Sequence, residues 1–586
     1  MNSRELREKF LKFFEKRNHK IVPSSPLLPT DPSVLFTTAG MQQFKEYFLG
    51  KKPPFGKKIC SCQKCLRTSD IEKVGNEKSL TFFEMLGSFS FGDYFKKETI
   101  NFAIDFLFKE LKIPLKDAFF TVFEGDKKTP FDKESLEILK GFKIPKEKIK
   151  PGKREDNFWG PTGKEGPCGP TVEIHVKNIE IWNLVFNEYY QDENGNLKPL
   201  KQKGVDTGMG LERLNMVFNN KNSVFKTDLF FPIISEIKKL IGEKEVSSFE
   251  KLFAPSIAME KTFEDLKYQR YFRIITDHTK ASVFLISEGV LPSNIERGYI
   301  LRRLMRRAIR CGKLLNLPKN FLIPVAKKVI EIYSNTYPKL KRKEADILTS
   351  IQNEGERFEK TLEIGLREFE KLIKVKKDKI ISGSEAFDLY QSYGFPLELV
   401  EEIASERGFE VNREEFFEAQ RLHKEISRKG VEKKFGGVGK EATYEATNLH
   451  TATHLLHTAL RKILGEHVKQ AGSDITPQRL RFDFSHPQKI TQDEIKKVED
   501  LVNQKIKENL EVKKEEMAYQ QAIKSGALAF FKEKYPERVT VYTIGDFSKE
   551  ICAGPHVKET SELGHFKILK EEGAGAGIRR IRAILE

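Results

Sequence analysis

Residues 205–214 read Val-Asp-Thr-Gly-Met-Gly-Leu-Glu-Arg-Leu. Asp206 offers a carboxylate to an ammonium, and Arg213 offers a planar, permanently charged fork to phosphate oxygens. Gly208 and Gly210 lack the Cβ that would hold backbone away from a bound group. Taken alone, the stretch also fits a glycine turn followed by an ordinary Glu-Arg pair. A second set lies far along the chain, where His450 and His454 at i and i+4 leave one face of a helix and Cys552 and His556 stand in Cys-Ala-Gly-Pro-His. Two histidines plus Cys-x3-His make four suitable zinc ligands, as a reactive centre or as a staple for the fold. Cys60, Cys62 and Cys65 add three thiols with no fourth ligand nearby in sequence, so reduced, partly buried thiols are the first expectation and metal the second. Arg302, Arg303, Arg306, Arg307 and Arg310 recur on one helical face, opposite Ile300, Leu301, Leu304, Met305 and Ala308. No acid stands on the arginine face, which predicts contact with a phosphate backbone.

These groups need elements to hold them. Residues 4–18 place Leu6, Phe10, Leu11 and Phe14 on one helical face, with Ser3 as the expected cap. Short apolar runs and glycine turns continue to about residue 235 and predict antiparallel strands with interspersed helices. Long amphipathic stretches such as 341–374 then predict an all-α region over 236–430. The Gly- and Lys-rich stretch 431–447 reads as a linker, and 448–586 as a compact α+β domain. The fold class is thus α+β, in several domains. Lysine and arginine number 102 against 85 acids, a net +17 that favours a polyanionic partner. Six cysteines make no disulfide framework, which points to a reducing, cytoplasmic setting. No apolar run is long enough to span a membrane.

Further motifs stand around the first site: Leu-Phe-Thr-Thr-Ala-Gly-Met-Gln-Gln-Phe (35–44), Thr-Phe-Phe-Glu-Met-Leu-Gly-Ser-Phe-Ser-Phe-Gly-Asp-Tyr (81–94), Asn-Phe-Trp-Gly (157–160) and Ile-Glu-Ile-Trp-Asn-Leu-Val-Phe (179–186). In that order they resemble the class II alanyl-tRNA synthetase active site, with 205–214 as its motif 3. The resemblance implies ATP with Mg²⁺ and L-alanine as substrates, and tRNA(Ala) as acceptor of the alanyl group. It implies catalytic roles for Arg67, Asp70 and Arg213, and an ATP site of Arg67, Phe82, Phe83, Glu84 and Arg213. It assigns the amino acid to Met41, Trp159, Ile181, Asn183, Asp206 and Gly208. Arg67 is followed directly by Thr68, Ser69 and Asp70, so the lysine of the longer family segment has no counterpart there.

The segment Leu-Pro-Ser-Asn-Ile-Glu-Arg-Gly-Tyr resembles the family's acceptor-stem reader, with Asn294 as its base-contacting amide; Gln391 replaces the family's second reader, an aspartate. The C-terminal part resembles the editing module of alanyl- and threonyl-tRNA synthetases, which implies Zn²⁺ at His450, His454, Cys552 and His556. The same resemblance puts Gln470, Arg481 and Asp483 at a hydrolytic pocket for Ser- and Gly-tRNA(Ala). No stretch corresponds to the family's β-barrel insertion, dimerising coiled coil or globular tail, so a monomer is expected. Two other readings remain open: a tRNA-binding or editing protein that activates no amino acid, and threonyl specificity suggested by the wording of Cys-Ala-Gly-Pro-His.

Overall fold

The strands over residues 82–91 and 166–176 are buried at almost every position, as expected of the inner strands of a sheet covered on both faces. The structure, a computed structural model, describes residues 1–31, 33–241, 266–376, 378–432, 443–529, 537–575 and 577–586. Nine strands form one sheet: β1 (Lys20–Ile21), β2 (Lys58–Leu66), β3 (Phe82–Phe91), β4 (Ala118–Phe123), β5 (Ile149–Gly152), β6 (Phe158–Trp159), β7 (Gly166–Val176), β8 (Ile179–Gln191) and β9 (Leu197–Gly210). The order is β1-β2-β3-β9-β8-β7-β4-β5, with β6 on β7, and only the β1–β2 and β4–β5 pairs are parallel.

Helix α1 (Ser3–Glu15) buries Leu6, Phe10, Phe13 and Phe14. Its cap is Asn2 rather than Ser3, because Asn2 and Glu5 close a reciprocal capping box while Ser3 Oγ donates to Asp228. Strand β9 runs straight into α2 (Leu211–Phe218), so 205–214 is a strand end and a first helical turn, not a glycine turn. Gly208 leaves room for Met85: a Cβ there would stand 2.9 Å from Met85 Sδ and push that side chain aside.

By contacts the chain divides into two compact units, Met1–Lys377 with Leu389–Ile403, and Asp378–Asp388 with Ala404–Glu586. The division does not follow the composition change at 235. Helices α3 (Leu266–Ser287), α4 (Glu296–Leu314), α5 (Leu322–Tyr333) and α6 (Glu344–Val375) belong to the unit of the sheet. Buried ion pairs make the join, Lys280 on α3 holding Glu212 on α2 at 3.0 Å. The presumed linker 431–447 lies mostly outside the described residues, at 433–442.

In the second unit, α7 (Tyr444–Leu464) and α8 (Gln492–Lys507) pack through Leu449, Leu456, Val498 and Val502 on the apolar face of a four-stranded antiparallel sheet. Besides the short parallel pair of Ile380–Ile381 and Glu410–Val411, the described residues of this unit form seven strands, β10 (Gln470–Thr476), β11 (Arg479–Ser485), β12 (Val512–Ala518), β13 (Arg538–Ile544), β14 (Ser548–Ile551), β15 (Phe566–Gly575) and β16 (Ile578–Leu585). They form two sheets, ordered β10-β11-β16-β15 and β12-β13-β14.

Candidate active site and metal cluster

The two-residue period of a strand puts Ile181, Asn183 and Val185 of β8 on one face, beside Asp206, Gly208 and Gly210 of β9. Register pairs Val185 with Asp206 and Asn183 with Gly208, and Phe83 and Met85 of β3 continue the row. With Ala39, Arg67, Trp159, Glu180 and Arg213 they wall a cavity of about 360 Å³. Asp206 is 4 % exposed, and burial pushes its carboxyl up to about 7. Among the described residues no donor bonds that carboxylate, so an entering ammonium would meet an uncompensated acceptor. Arg67 donates from Nε to Thr38 O at 3.1 Å, and its guanidinium carbon lies 5.1 Å from the Phe83 ring centre. Arg213 Nη1 donates to Glu180 O and Oε2 at 3.0 and 2.9 Å. Asp70 is in the wall and accepts from Lys73 Nζ at 3.0 Å.

Three expected site residues do not reach the cavity. Phe82 and Glu84 alternate with Phe83 and Met85 and so face the other side of β3. There Phe82 stacks on Phe284 at 4.1 Å, and Glu84 pairs with Arg7 and accepts from Tyr337 Oη, each at 2.7 Å. Met41 is fully buried, with its sulfur 3.5 Å from Thr162 Oγ1, and Ala39 takes its expected place in the wall. Conversely, Val185, Met85, Glu180, Glu212, Lys73 and Lys78 line the cavity unforeseen. Val185 and Met85 stand two residues from Asn183 and Phe83, and the strand period was signal enough to find them. The two lysines enter from the segment after Asp70, so a short loop still brings cations to the site. The cysteines split by the same period: Cys60 and Cys62 face one side of β2 and Cys65 the other. Burial pushes the Cys60 and Cys65 thiols up to about 12.

The arginine face of α4 is not open to solvent. Arg302, Arg307 and Arg310 are buried. Arg302 and Arg306 meet Glu354 of α6 at 3.0 and 3.1 Å; Arg307 and Arg310 meet Glu402 at 3.3 and 3.4 Å; Arg303 pairs with Glu72. The compensating acids, missing from the face in sequence, come from other elements, so each of the five arginines has an acid partner and the face is no bare cationic stripe. Asn294 is exposed and accepts from Arg302 Nη1 through its Oδ1, and Gln391 is also exposed.

In the second unit the donor atoms of His450, His454, Cys552 and His556 lie within 4.8 Å of one another. His450 Nδ1 lies 3.2 Å from Pro555 O and His556 Nδ1 3.2 Å from Thr451 Oγ1, while His454 Nδ1 lies beside the Glu550 carboxylate, 3.1 Å from Oε2, without hydrogen-bond geometry. That leaves three Nε2 atoms and one sulfur for a tetrahedral ion, and His556 Nε2 is buried without a partner. Burial opposes ionisation of Cys552, yet the three histidine rings gathered around it bring its thiol down to about 2. The donor set therefore fits zinc. Gly554 is required beside it, since a Cβ there would collide with the His450 ring. Buried His457, three residues past His454, was missed in sequence; its Nδ1 lies 3.0 Å from Glu550 Oε1, so one carboxylate braces two helix histidines.

Arg481 and Asp483 do not join this cluster. Leu480, Phe482 and Phe484 of β11 face α7, with the Phe482 ring 5.5 Å from His457, so the odd-numbered residues emerge on the opposite face. There Arg580 holds Asp483 through two bonds of 2.7 and 2.9 Å. Gln470 Nε2 donates to Ser473 Oγ at 3.1 Å.

Comparison with known proteins adds an independent finding. The family described as "tRNA synthetases class II (A)" matches residues 5–470, and the "Threonyl and Alanyl tRNA synthetase second additional domain" matches 539–582. The chain is similar to the alanine–tRNA ligase of Borrelia hermsii, 46% identical over 99% of both chains, and to that of Treponema denticola, 46% identical over 99% of this chain and 98% of the relative. It is 38% identical to the alanine–tRNA ligase of Petrotoga mobilis over 99% of this chain and 79% of the longer relative.

Proposed function

The chain belongs to the alanyl-tRNA synthetase family, and on that premise we propose that its cavity joins L-alanine to ATP and passes the alanyl group to the 3′ end of tRNA(Ala). It is a class II aminoacyl-tRNA synthetase with an editing domain. Among its described residues no helix is long and apolar enough to cross a membrane.

In the proposed first step an alanine carboxylate oxygen attacks the α-phosphorus of ATP, and pyrophosphate leaves with its bond electrons. Positioning and charge neutralisation supply most of the rate. Asp206 takes the alanine ammonium. Arg67 neutralises the α-phosphate, and Arg213 exchanges Glu180 for a phosphate of ATP, which enters with Mg²⁺. Phe83, beside Arg67, offers the ring for adenine. Ile181, Val185, Met85 and Trp159 leave space for a methyl group. Such a pocket cannot strongly exclude glycine and rejects serine poorly, which gives the second unit its purpose of hydrolysing mischarged tRNA. Zinc bound by His450, His454, Cys552 and His556 would polarise or orient the ester there. Asn294 and Gln391 remain the exposed amides for reading the acceptor stem, and a cytoplasmic monomer is the proposed form.

The observation that carries this reading is the buried, unpartnered carboxylate of Asp206 in the wall it shares with Arg67 and Arg213. Alanine-dependent ATP–pyrophosphate exchange tests it. Asp206→Ala is expected to lose about 10³-fold in kcat/KM for alanine, the scale of losing a buried charge-assisted contact. Exchange that survives the substitution, or no exchange by the wild type, overturns it.

A further inference from the structure

A row of side chains crosses the sheet from its edge to the cavity. Register pairs Thr121 of β4 with Glu173 of β7, Glu173 with Asn183 of β8, and Asn183 with Gly208 of β9. All lie on one face, because cross-strand partners project to the same side. Asp206 follows Gly208 on that face, about 7 Å along β9. Glu173 is nearly buried at 9 % exposure and lies outside the cavity wall, one strand behind Asn183.

Its hydrogen bonds are divided between two tasks. Oε2 accepts from Thr121 Oγ1 at 3.3 Å and from His175 Nε2 at 3.0 Å, and His175 is itself stacked on Phe119 with ring centres 4.5 Å apart. Oε1 accepts from Asn183 Nδ2 at 3.3 Å. An ionised carboxylate has no proton to donate, so it selects one of the two orientations of the asparagine amide, nitrogen toward Glu173 and oxygen away. Asn183 Oδ1 is left buried with no partner among the described residues, on a residue that walls the cavity. A buried acceptor of that kind is costly unless a ligand donor completes it.

We propose that Glu173 is a positioning residue: it turns the Asn183 amide so that its oxygen, not its nitrogen, meets the substrate ammonium. This rests on the reading of the cavity as an alanine-activating site. The ammonium then has two protein acceptors, Asp206 and Asn183 Oδ1, and an amide turned the other way would oppose it with an N–H. Thr121 and His175 hold the carboxylate still from behind. Glu173 touches no part of ATP, so its effect is confined to the amino acid.

The test is pyrophosphate exchange with Glu173→Met, Glu173→Gln and Asp206→Ala, with KM for alanine, KM for ATP and kcat measured separately. Glu173→Met removes the acceptor at similar length and is expected to raise KM for alanine about tenfold, the scale of one charge-assisted hydrogen bond. KM for ATP and kcat stay within about twofold, because the lost contact is made equally in the ground and transition states. Glu173→Gln keeps an oxygen for Asn183 Nδ2, while Thr121 and His175 can accept from its nitrogen, so it restores the KM for alanine. The positioning role is overturned if Glu173→Met leaves that KM unchanged, if it impairs alanine and ATP alike, or if Glu173→Gln is no better than methionine. Any of these outcomes beside an inactive Asp206→Ala leaves the cavity reading standing. Exchange that survives Asp206→Ala removes the reading and this role together.

Discussion

The cavity wall and helix α4 are both rich in charge, and they treat it oppositely. On α4 each of the five arginines meets an acid, with Glu354 and Glu402 brought from other helices and Glu72 from the segment after β2. In the cavity the Asp206 carboxylate has no donor among the described residues, and Asn183 Oδ1 has none either. A charge whose partner is internal holds elements together. A buried polar group without one destabilises the empty protein and is completed only by a ligand. The C-terminal cluster combines both states in one residue type, since His450 and His556 have their Nδ1 engaged by protein oxygens while the cluster's donor atoms converge on one another.

If that contrast is right, substitutions in the three places differ in kind as well as in size. The largest effect is expected at the cluster. The purified protein should carry about one zinc per chain by elemental analysis, and Cys552→Ser should lose it, as a site reduced from four ligands to three does. Alanine-dependent exchange should be unchanged by that loss, and a fall in exchange would show that the metal serves the first unit.

Next, Glu354→Ala should destabilise the protein by about 3–5 kcal/mol, because it strips the shared counter-charge from buried Arg302 and from Arg306. A shift of the chemical unfolding transition measures it. Unchanged stability with tighter tRNA binding would instead restore the arginines as phosphate contacts.

Asp206→Asn should act in the opposite direction and raise stability at pH 8 while removing exchange. The folded-state carboxyl is raised to about 7 from an ordinary value of about 4. Its contribution to stability is therefore fully present below about pH 4 and is lost as pH rises through about 7. The asparagine variant has no such loss, so the wild-type and variant melting temperatures should diverge over that window. The smallest effect follows from the same carboxyl. Apparent KM for alanine should rise up to about tenfold per unit as pH falls below 7, since the protonated acid cannot hold an ammonium. A flat profile between pH 6 and 8 would mean that Asp206 is already ionised by a partner.

Much of this protein was legible in its sequence, and the misses share a cause. Asp206, Asn183, Ile181, Gly208, Trp159 and the flanking arginines line one cavity, because β3, β9 and β8 are hydrogen-bonded neighbours although the motifs that name them stand far apart in the chain. The His-x3-His and Cys-x3-His spacings were equally readable, since the i, i+4 geometry of a helix is local. Phe82 and Glu84 were misplaced although they sit inside a matching motif, because a motif names a segment while strand alternation sends half of it to the other face. Arg481 and Asp483 were misplaced in the same way. The α4 arginines were misjudged for a different reason: their acids lie tens of residues away or more, and only packing brings Glu72, Glu354 and Glu402 to the helix.

The sequence by itself determined which chemical groups this protein owns and which short-range pairs they form, because helical and strand periods are set by backbone geometry within a few residues. The tertiary structure alone decided which of those groups remain uncompensated. Pairing joins residues such as Arg7 and Glu84, or Arg307 and Glu402, whose separation in sequence carries no information about their distance in space.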